Sequence, residues 1–358
     1  MKTAIRSVYQ YLAPKFSKKA ATCIILVAMA LFTFACFVPS VELSTQAKSD
    51  SPEYLSSTKQ QEERQLIMEE GCDTTKTMRS KDSFEQLLSN TQLLRNIIVN
   101  DEHRLMYCYI PKVSSTQWKK VMGVLSGRLP DIALSKIRGD LPHRRNVHRF
   151  LSEYSAEEIR TRLNSYTSFM FVRHPLERLV SGYRNKFGNA PLDGYFPSHF
   201  AADIKSRYGS GNLTSVGNDI RGDRRVTFEE FARWVSDPNP AAGARNEHWA
   251  PMAGLCRPCD IAYTVVGKME TLLEDARLVL RTANITSITF PVGFHSKTRS
   301  VAGDMLASLP KDVLRRVLSL YLEDFLVFGY HPSEVFVDNR TAELTAKLLF
   351  ENVLFARK

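Results

Sequence analysis

The chain has 358 residues, of which 44% are hydrophobic and 24% are charged, and its formal net charge is +10. This composition is that of a globular protein, not of a disordered chain, and it provides the core of one large α/β domain or two small ones. The positive charge favours a polyanionic partner, which is a nucleic acid, an anionic membrane or an acidic polysaccharide. A chain that is basic without such a partner is the alternative.

An apolar segment near the N-terminus, residues 20–38, contains no charged residue and has about the length of a membrane-spanning helix. Basic residues precede it, and the first acidic residue of the chain is Glu42. This asymmetry predicts a cytoplasmic tail at 1–19, a transmembrane signal-anchor at 20–38 and a lumenal remainder. A cleaved signal peptide is the competing interpretation.

Residues 39–84 are rich in Ser, Thr, Glu, Gln and Lys, which predicts a flexible or partly helical lumenal stem. Over residues 85–358, apolar segments alternate with helical patterns, as expected of an α/β domain. Three glycosylation sequons fit a lumenal location, and they start at Asn212, Asn284 and Asn339.

Four cysteines follow the anchor and would face an oxidising lumen, where disulfide bonds persist. They are Cys72, Cys108, Cys256 and Cys259. We predict disulfides in preference to zinc, because the Cys-x2-Cys pair at 256–259 lacks two further ligands at suitable spacing. Their pairing is left open. The lumenal location also argues against a nucleic acid as the polyanionic partner.

The segment YCYIPKVSSTQWKKVM (107–122) connects a predicted buried strand at 105–110 to a predicted amphipathic helix at 117–125. A strand, a tight loop and a helix N-terminus bring several backbone N–H groups around one point, which is an anion site. Lys112 adds a positive charge, and three hydroxyl residues follow it. The glycines of a Walker A loop are absent, and an ordinary capped helix is the competing interpretation.

A second strand, predicted at 166–172, ends in Arg173 and leads through Pro175 into a helix that extends to about Phe187. Arg173 and Ser181 together suit a second phosphate, with arginine as a bidentate donor. A basic solvated helix face is the alternative, and it explains Arg184 and Lys186 but not Arg173 at the end of the strand.

The remaining elements are predicted from periodicity and composition. We expect a third strand at 261–266, helices at 269–281, 311–326 and 342–356, and a long loop or insertion at 188–225.

Together, the two strand–loop–helix segments resemble the two nucleotide-binding signatures of the Golgi carbohydrate sulfotransferases. The likeness continues through NEHWAPMAGLCRPCDIAYTVVGKMETLLEDARLVL at 246–280 and LYLEDFLVFGY at 320–330. It covers roughly residues 104–330 and is greatest to the chondroitin and dermatan 4-O-sulfotransferase group.

The resemblance implies one sulfotransferase domain, in which helices flank a parallel sheet of P-loop-like topology. It implies 3′-phosphoadenosine 5′-phosphosulfate (PAPS) as the sulfate donor, with no metal. The first loop would bind the 5′-phosphosulfate, and the second would bind the 3′-phosphate. The donor-binding residues implied in this way are Pro111, Lys112, Val113, Ser114, Ser115, Thr116 and Gln117 in the first loop, and Arg173, His174, Pro175, Leu176, Glu177, Arg178, Leu179, Val180 and Ser181 in the second. Gln117 departs from the asparagine of the family pattern, which bears on the acceptor.

Sulfuryl transfer to a sugar hydroxyl requires a proton acceptor and stabilisation of charge on the leaving phosphate. Lys112 is predicted to supply the positive charge. His143 is predicted to be the catalytic base, because related sulfotransferases place a histidine between the two signatures. His148 and His248 are the alternatives, and His174 is interpreted as structural.

Basic residues outside the donor signatures cluster in two stretches that would line a groove for an acidic glycan. Solvent-facing arginines without a ligand are the alternative. These residues are Arg128, Lys136, Arg138, Arg144, Arg145, Arg149, Arg221, Arg224 and Arg225.

The sequence thus predicts a single-pass type II Golgi membrane enzyme with a lumenal catalytic domain. By resemblance, its acceptor is C4 of N-acetylgalactosamine (GalNAc) in chondroitin or dermatan. The alternatives are another glycan hydroxyl, such as C3 of a terminal glucuronate or a GalNAc of an N-glycan, and a non-catalytic glycan-binding protein. A nucleotide kinase is disfavoured by the missing Walker motif. Whether the chain forms a homodimer is left open.

Overall fold

A five-stranded mixed sheet lies at the centre of the domain. The computed structural model describes residues 52–76, 84–209, 225–292, 298–336 and 339–356. The strand order is β3-β1-β2-β4-β5. The strands are β1 (Ile97–Asn100), β2 (Leu105–Cys108), β3 (Arg149–Phe150), β4 (Thr167–Val172) and β5 (Val265–Lys268).

The α/β class is confirmed, but the prediction of a parallel sheet is wrong for half of its pairings. Strands β2, β4 and β5 run parallel, whereas β1 is antiparallel to both β2 and β3. The turn at 101–104 explains the antiparallel pairing of β1 with β2, because parallel neighbours need a crossover of a dozen or more residues.

Helices flank this sheet. They are α1 (Pro52–Thr75), α2 (Phe84–Ser89), α3 (Ser115–Leu125), α4 (Ala156–Ser165), α5 (Pro175–Tyr183), α6 (Tyr195–Tyr208), α7 (Phe228–Val235), α8 (Met252–Cys256), α9 (Leu272–Thr282), α10 (Arg299–Ala307), α11 (Lys311–Leu320), α12 (Leu322–Phe328) and α13 (Asn339–Ala356).

Most predicted elements are present, with shifted ends. The strand predicted at 261–266 starts only at Val265, and the loop predicted at 188–225 contains α6. The predicted spanning segment 20–38 and the sequon at Asn212 lie outside the described residues, as do Arg221 and Arg224. Within the part of the chain that the structure describes, no helix combines the length and apolarity needed to cross a bilayer.

The fully buried Trp118 fixes α3 against the sheet. Its ring centroid lies 4.5 Å from that of Phe169 and 5.2 Å from that of Phe171, both on β4. Aromatic pairs at these distances contribute beyond the area they bury. Because Trp118 belongs to the first turn of α3, this packing also fixes the loop that precedes the helix.

Helix α1 lies within the predicted stem, yet it belongs to the same compact unit as the sheet. The side-chain amide of Gln61 pairs with both backbone groups of Val266 on the edge strand β5, at 2.9 and 3.2 Å. This amide therefore supplies the hydrogen bonds that another strand would make, which protects an exposed sheet edge. The boundary between stem and catalytic domain at residue 85 stays a prediction.

Two disulfides connect the four cysteines that follow the predicted anchor, as the sequence predicted in preference to zinc. Cys72 at the end of α1 is bonded to Cys259, and Cys108 at the end of β2 is bonded to Cys256. The two members of the Cys-x2-Cys pair therefore attach α1 and the sheet to the same turn.

Arg64→Met is expected to lower the free energy of unfolding by about 2 kcal/mol. The Arg64 guanidinium donates to the carboxylate of Asp275, which is almost fully buried, at 2.9 Å and to the Val266 carbonyl at 3.0 Å. Its loss leaves the carboxylate without a counter-ion. Urea denaturation followed by circular dichroism measures the change. Lys59→Met, at an exposed position of the same helix, is the control, and equal midpoints for the two variants would contradict the prediction.

Candidate active site

The first candidate loop is held in a strained backbone conformation. Lys112 and Ser114 have φ values of 74° and 63°, in the left-handed region that favours glycine. Such residues cost about 1 to 3 kcal/mol each and occur preferentially at functional sites. The fully buried side chain of Val113 lies between them and fixes the loop to the core. Helix α3 starts at Ser115, so its first N–H groups face this loop.

The Lys112 ammonium lies in a partly buried, positively charged environment. Its pKa is lowered to about 8, first by burial and then by the charges of Lys186, Arg173 and Arg178 in that order. Like charges are brought together only at a cost. A bound polyanion removes that cost, so the chemistry of this donor set fits a phosphosulfate.

The second candidate segment divides into polar and core residues. Arg173 is 3% exposed and donates to the Glu177 carboxylate at 3.0 and 3.2 Å. The half-buried Ser181 lies on α5, as Glu177 does. His174 has a structural environment, since its Nε2 contacts the His331 carbonyl at 3.0 Å. The other members of the segment, apart from Arg178, are buried: Pro175, Leu176, Leu179 and Val180.

Arg178 connects the first loop to the segment before α8. It is 1% exposed, and its Nε donates to the Pro111 carbonyl at 3.0 Å. Its Nη1 and Nη2 donate to the carbonyls of Ala250 and Glu247, each at 2.6 Å. Three main-chain carbonyls thus hold a buried guanidinium that no direct ion pair neutralises among the described residues.

His143 contacts the first loop directly. It ends a 3-10 turn (Leu141–His143), and its Nε2 lies 3.2 Å from the Thr116 hydroxyl on α3. Its pKa is lowered, first by partial desolvation and then by the charges of Lys119 and Lys186, whereas Glu247 opposes the shift. A neutral imidazole that remains accessible to solvent is able to accept a proton.

The two alternative histidines have different surroundings. His148 is buried, its Nε2 bonds to the Pro142 carbonyl at 2.9 Å, and burial lowers its pKa to about 4. Burial and the nearby charge of Lys186 lower the pKa of His248 to about 3. Its buried Nδ1 has no hydrogen-bond partner among the described residues. Of the three, only His143 contacts a residue of the first loop.

Two lysines of the site were not predicted from the sequence. Lys119 on α3 is 8% exposed, and its Nζ lies 3.4 Å from the ring centroid of Tyr109. Lys186 belongs to the π-helix Arg184–Gly188, and its Nζ lies 4.4 Å from the ring centroid of Phe196. It was interpreted as part of a solvated face, but it is partly buried. Lys119 follows Thr116 by three residues, and this helical spacing could have placed both side chains on the same face of α3.

The predicted acceptor-groove residues in the described chain are exposed. Arg149 lies over the Tyr154 ring, 4.1 Å from its centroid, and Arg128 donates to the Asn146 carbonyl. The others are Lys136, Arg138, Arg144, Arg145 and Arg225. Those between 128 and 149 surround His143 in sequence, so this positive surface includes the loop that carries the candidate base.

A family model described as "Sulfotransferase family" matches residues 95–331, which include the loop, both strand ends and all three histidines. The chain belongs to the sulfotransferase family. It is therefore a sulfotransferase, and the resemblance inferred from the two signatures is confirmed. Family membership implies PAPS as the donor.

Similar proteins include carbohydrate sulfotransferase 14 from Danio rerio, which is 38% identical over 297 residues, covering 81% of this chain and 77% of that protein. The human carbohydrate sulfotransferase 14 is 40% identical over 242 residues, covering 66% and 61%. Carbohydrate sulfotransferase 11 from Rattus norvegicus is 36% identical over 246 residues, covering 66% and 67%. No solved structure matches the chain. Among the described residues, no group of three or more His, Cys, Asp or Glu side chains is arranged to hold a metal.

Arg178→Met is expected to destabilise the fold by about 3 kcal/mol or more, because three buried or partly buried carbonyls lose a charged donor. Thermal unfolding followed by circular dichroism measures this, with the exposed Arg145→Met as the control. A variant as stable as the control would show that Arg178 does not connect the two segments.

Proposed function

We propose that the chain transfers the sulfuryl group of PAPS to a hydroxyl of a glycan. The observation that carries the proposal is the contact between Thr116 and His143 beside the cationic loop of Lys112. It brings the first loop, which we propose binds the anionic donor, within one hydrogen bond of His143, the proposed base. This is the arrangement that transfer from an anionic donor to a hydroxyl requires.

On the donor side, the residues at Lys112 and at the start of α3 would hold the 5′ end of PAPS, and Arg173 and Ser181 would hold its 3′-phosphate. When bound, PAPS supplies an activated sulfuryl group on a phosphate leaving group. Arg178 receives a different role from the one implied by resemblance. Because its guanidinium serves three carbonyls, we assign it to positioning the loop.

His143 would accept the proton of the attacking hydroxyl at Nε2, the atom that the Thr116 hydroxyl contacts. The lowered pKa of His143 keeps the ring in the neutral form that a base requires. Lys112 would stabilise the negative charge that develops on the leaving phosphate. Its own pKa near 8 leaves it mostly protonated at neutral pH.

For the acceptor, we propose C4 of GalNAc in chondroitin or dermatan. The names of the relatives support a carbohydrate, and the sequence resemblance supports this position. The exposed basic residues at 128–149 would hold a polyanionic chain through many screened contacts. We further propose a single-pass Golgi location with the catalytic domain in the lumen. The exposed Asn284 is accessible to glycosylation there.

The full-length chain, supplied with labelled PAPS, is expected to label desulfated chondroitin or dermatan at C4 of GalNAc, as located by disaccharide analysis. Lys112→Ala is expected to reduce the rate about 100-fold or more, whereas the exposed Lys311→Ala should match the wild type. Desulfated heparosan and an N-glycan ending in GalNAc complete the set of acceptors. Label in one of these instead would contradict the proposed acceptor, and absence of 3′,5′-ADP binding would contradict PAPS as the donor.

His143→Asn is expected to lower kcat about 100-fold or more without changing the affinity for 3′,5′-ADP, because only the proton acceptor is lost. The base is active when neutral, and its pKa is lowered from 6.5. The wild-type kcat/KM should therefore fall with decreasing pH at a midpoint below 6.5, and the variant should lose this limb. His199→Asn, an exposed position, is the control. An unchanged pH profile in the His143 variant would exclude the assignment.

A further inference from the structure

Two carboxylates lie within the cationic site: Glu177 is paired with Arg173, whereas Glu247 forms no salt bridge with a described residue. Glu247 is partly buried in the segment between α7 and α8. Its negative charge raises the pKa values of Lys119, Lys186 and His143, against the lowering that burial causes. A carboxylate repels a donor that carries two phosphates and a sulfate. Its presence therefore weakens donor binding and needs another explanation.

Contacts at both ends fix the position of Glu247. The Tyr109 hydroxyl donates to Oε2 at 3.0 Å, and Arg178 donates to the Glu247 carbonyl at 2.6 Å. Tyr109 immediately follows β2 and leads into the loop of Lys112. The carboxylate is thus held beside the donor loop by a neutral hydroxyl, and its Oε1 accepts no hydrogen bond from any described residue.

The hydrogen bond from Tyr109 does not by itself account for the charge. A glutamine at 247 would accept the same hydrogen bond from Tyr109 without repelling the donor. Nor does Glu247 serve as a direct ion-pair partner within the described site, since neither Lys119 nor Lys186 forms a salt bridge with it. The free oxygen therefore suits a ligand that donates hydrogen bonds, and the sugar hydroxyls of a glycan are such donors.

We propose that Glu247 is an acceptor-binding residue of the transfer site. Its Oε1 accepts a hydrogen bond from a hydroxyl of the incoming sugar, while Tyr109 holds Oε2. The sugar is thereby oriented with its attacking hydroxyl toward His143. This inference rests on the proposed transfer to a glycan, and it adds a binding residue that neither nucleotide signature contains.

The test compares Glu247→Gln with the wild type in the full-length protein. We expect kcat/KM for the desulfated chondroitin or dermatan acceptor to fall at least 10-fold, mainly through a higher KM. We expect the affinity for 3′,5′-ADP to stay the same or to rise up to about 5-fold, because a negative charge has left the donor site. The thermal midpoint should fall only slightly, since the amide oxygen still accepts from Tyr109 while Lys119 and Lys186 lose a nearby negative charge. Glu69→Gln, at an exposed position of α1, is the control.

A second variant, Tyr109→Phe, keeps the charge but releases Oε2. We expect a smaller loss of about 3-fold in kcat/KM for the acceptor and an unchanged affinity for 3′,5′-ADP. Loss of acceptor binding in both variants, with donor binding preserved, would support the assignment.

The outcomes separate this inference from the function on which it rests. A wild type that labels the acceptor together with a Glu247→Gln variant of unchanged acceptor KM would overturn the inference alone. A wild type that labels no acceptor would overturn the proposed function. Even then, a weaker affinity of Glu247→Gln for 3′,5′-ADP would place Glu247 on the donor side and overturn its assignment.

Discussion

The buried guanidinium of Arg178 is the interaction on which the geometry of the site depends. Removing a cation from water is costly unless its donors are satisfied, and burial lowers the pKa of this arginine. Three carbonyls from two distant segments satisfy them. Each segment carries part of the site, because one continues into Lys112 and the other includes Glu247. Asp324 supports the second segment by accepting from the N–H groups of Met252 and Ala253 at 2.9 and 2.8 Å. The fully buried guanidinium of Arg178 thus sets the distance between the first loop and Glu247.

Positive charges that burial disfavours are concentrated around the first loop. Lys112, Lys119 and Lys186 all have lowered pKa values, with burial as the first cause. The charged form of each lysine would be more stable in water. The folded chain therefore holds its positive charges in place before an anion binds, and binding requires little reorganisation. The basic surface at 128–149 acts differently. Its arginines are exposed, so the reach of their electrostatic field depends on the salt concentration.

Sequence reasoning located the parts of the structure that depend on local pattern. The helical spacing of Trp118 and Leu125 and the apolar run ending at Val172 are local, and both elements were predicted. The antiparallel pairing of β1 was not, since strands of four residues carry little periodicity. The attachment of α1 was also missed, because polar Gln61 and Arg64 read as stem residues until their partners on β5 and α9 are known. In the candidate site, Lys112 and His143 were predicted from the loop motif and the family resemblance, whereas Lys186 and Glu247 come near them only through tertiary contacts.

The bond between Cys72 and Cys259 joins positions 187 residues apart and starts in the last turn of α1. Its topology affects how the protein responds to proteases. A cut between residues 76 and 84 would divide the backbone but leave the two pieces covalently joined, with Gln61 and Arg64 still docked on the edge strand. A cut on the N-terminal side of Cys72, by contrast, would separate the residues before it from the disulfide-bonded body of the domain.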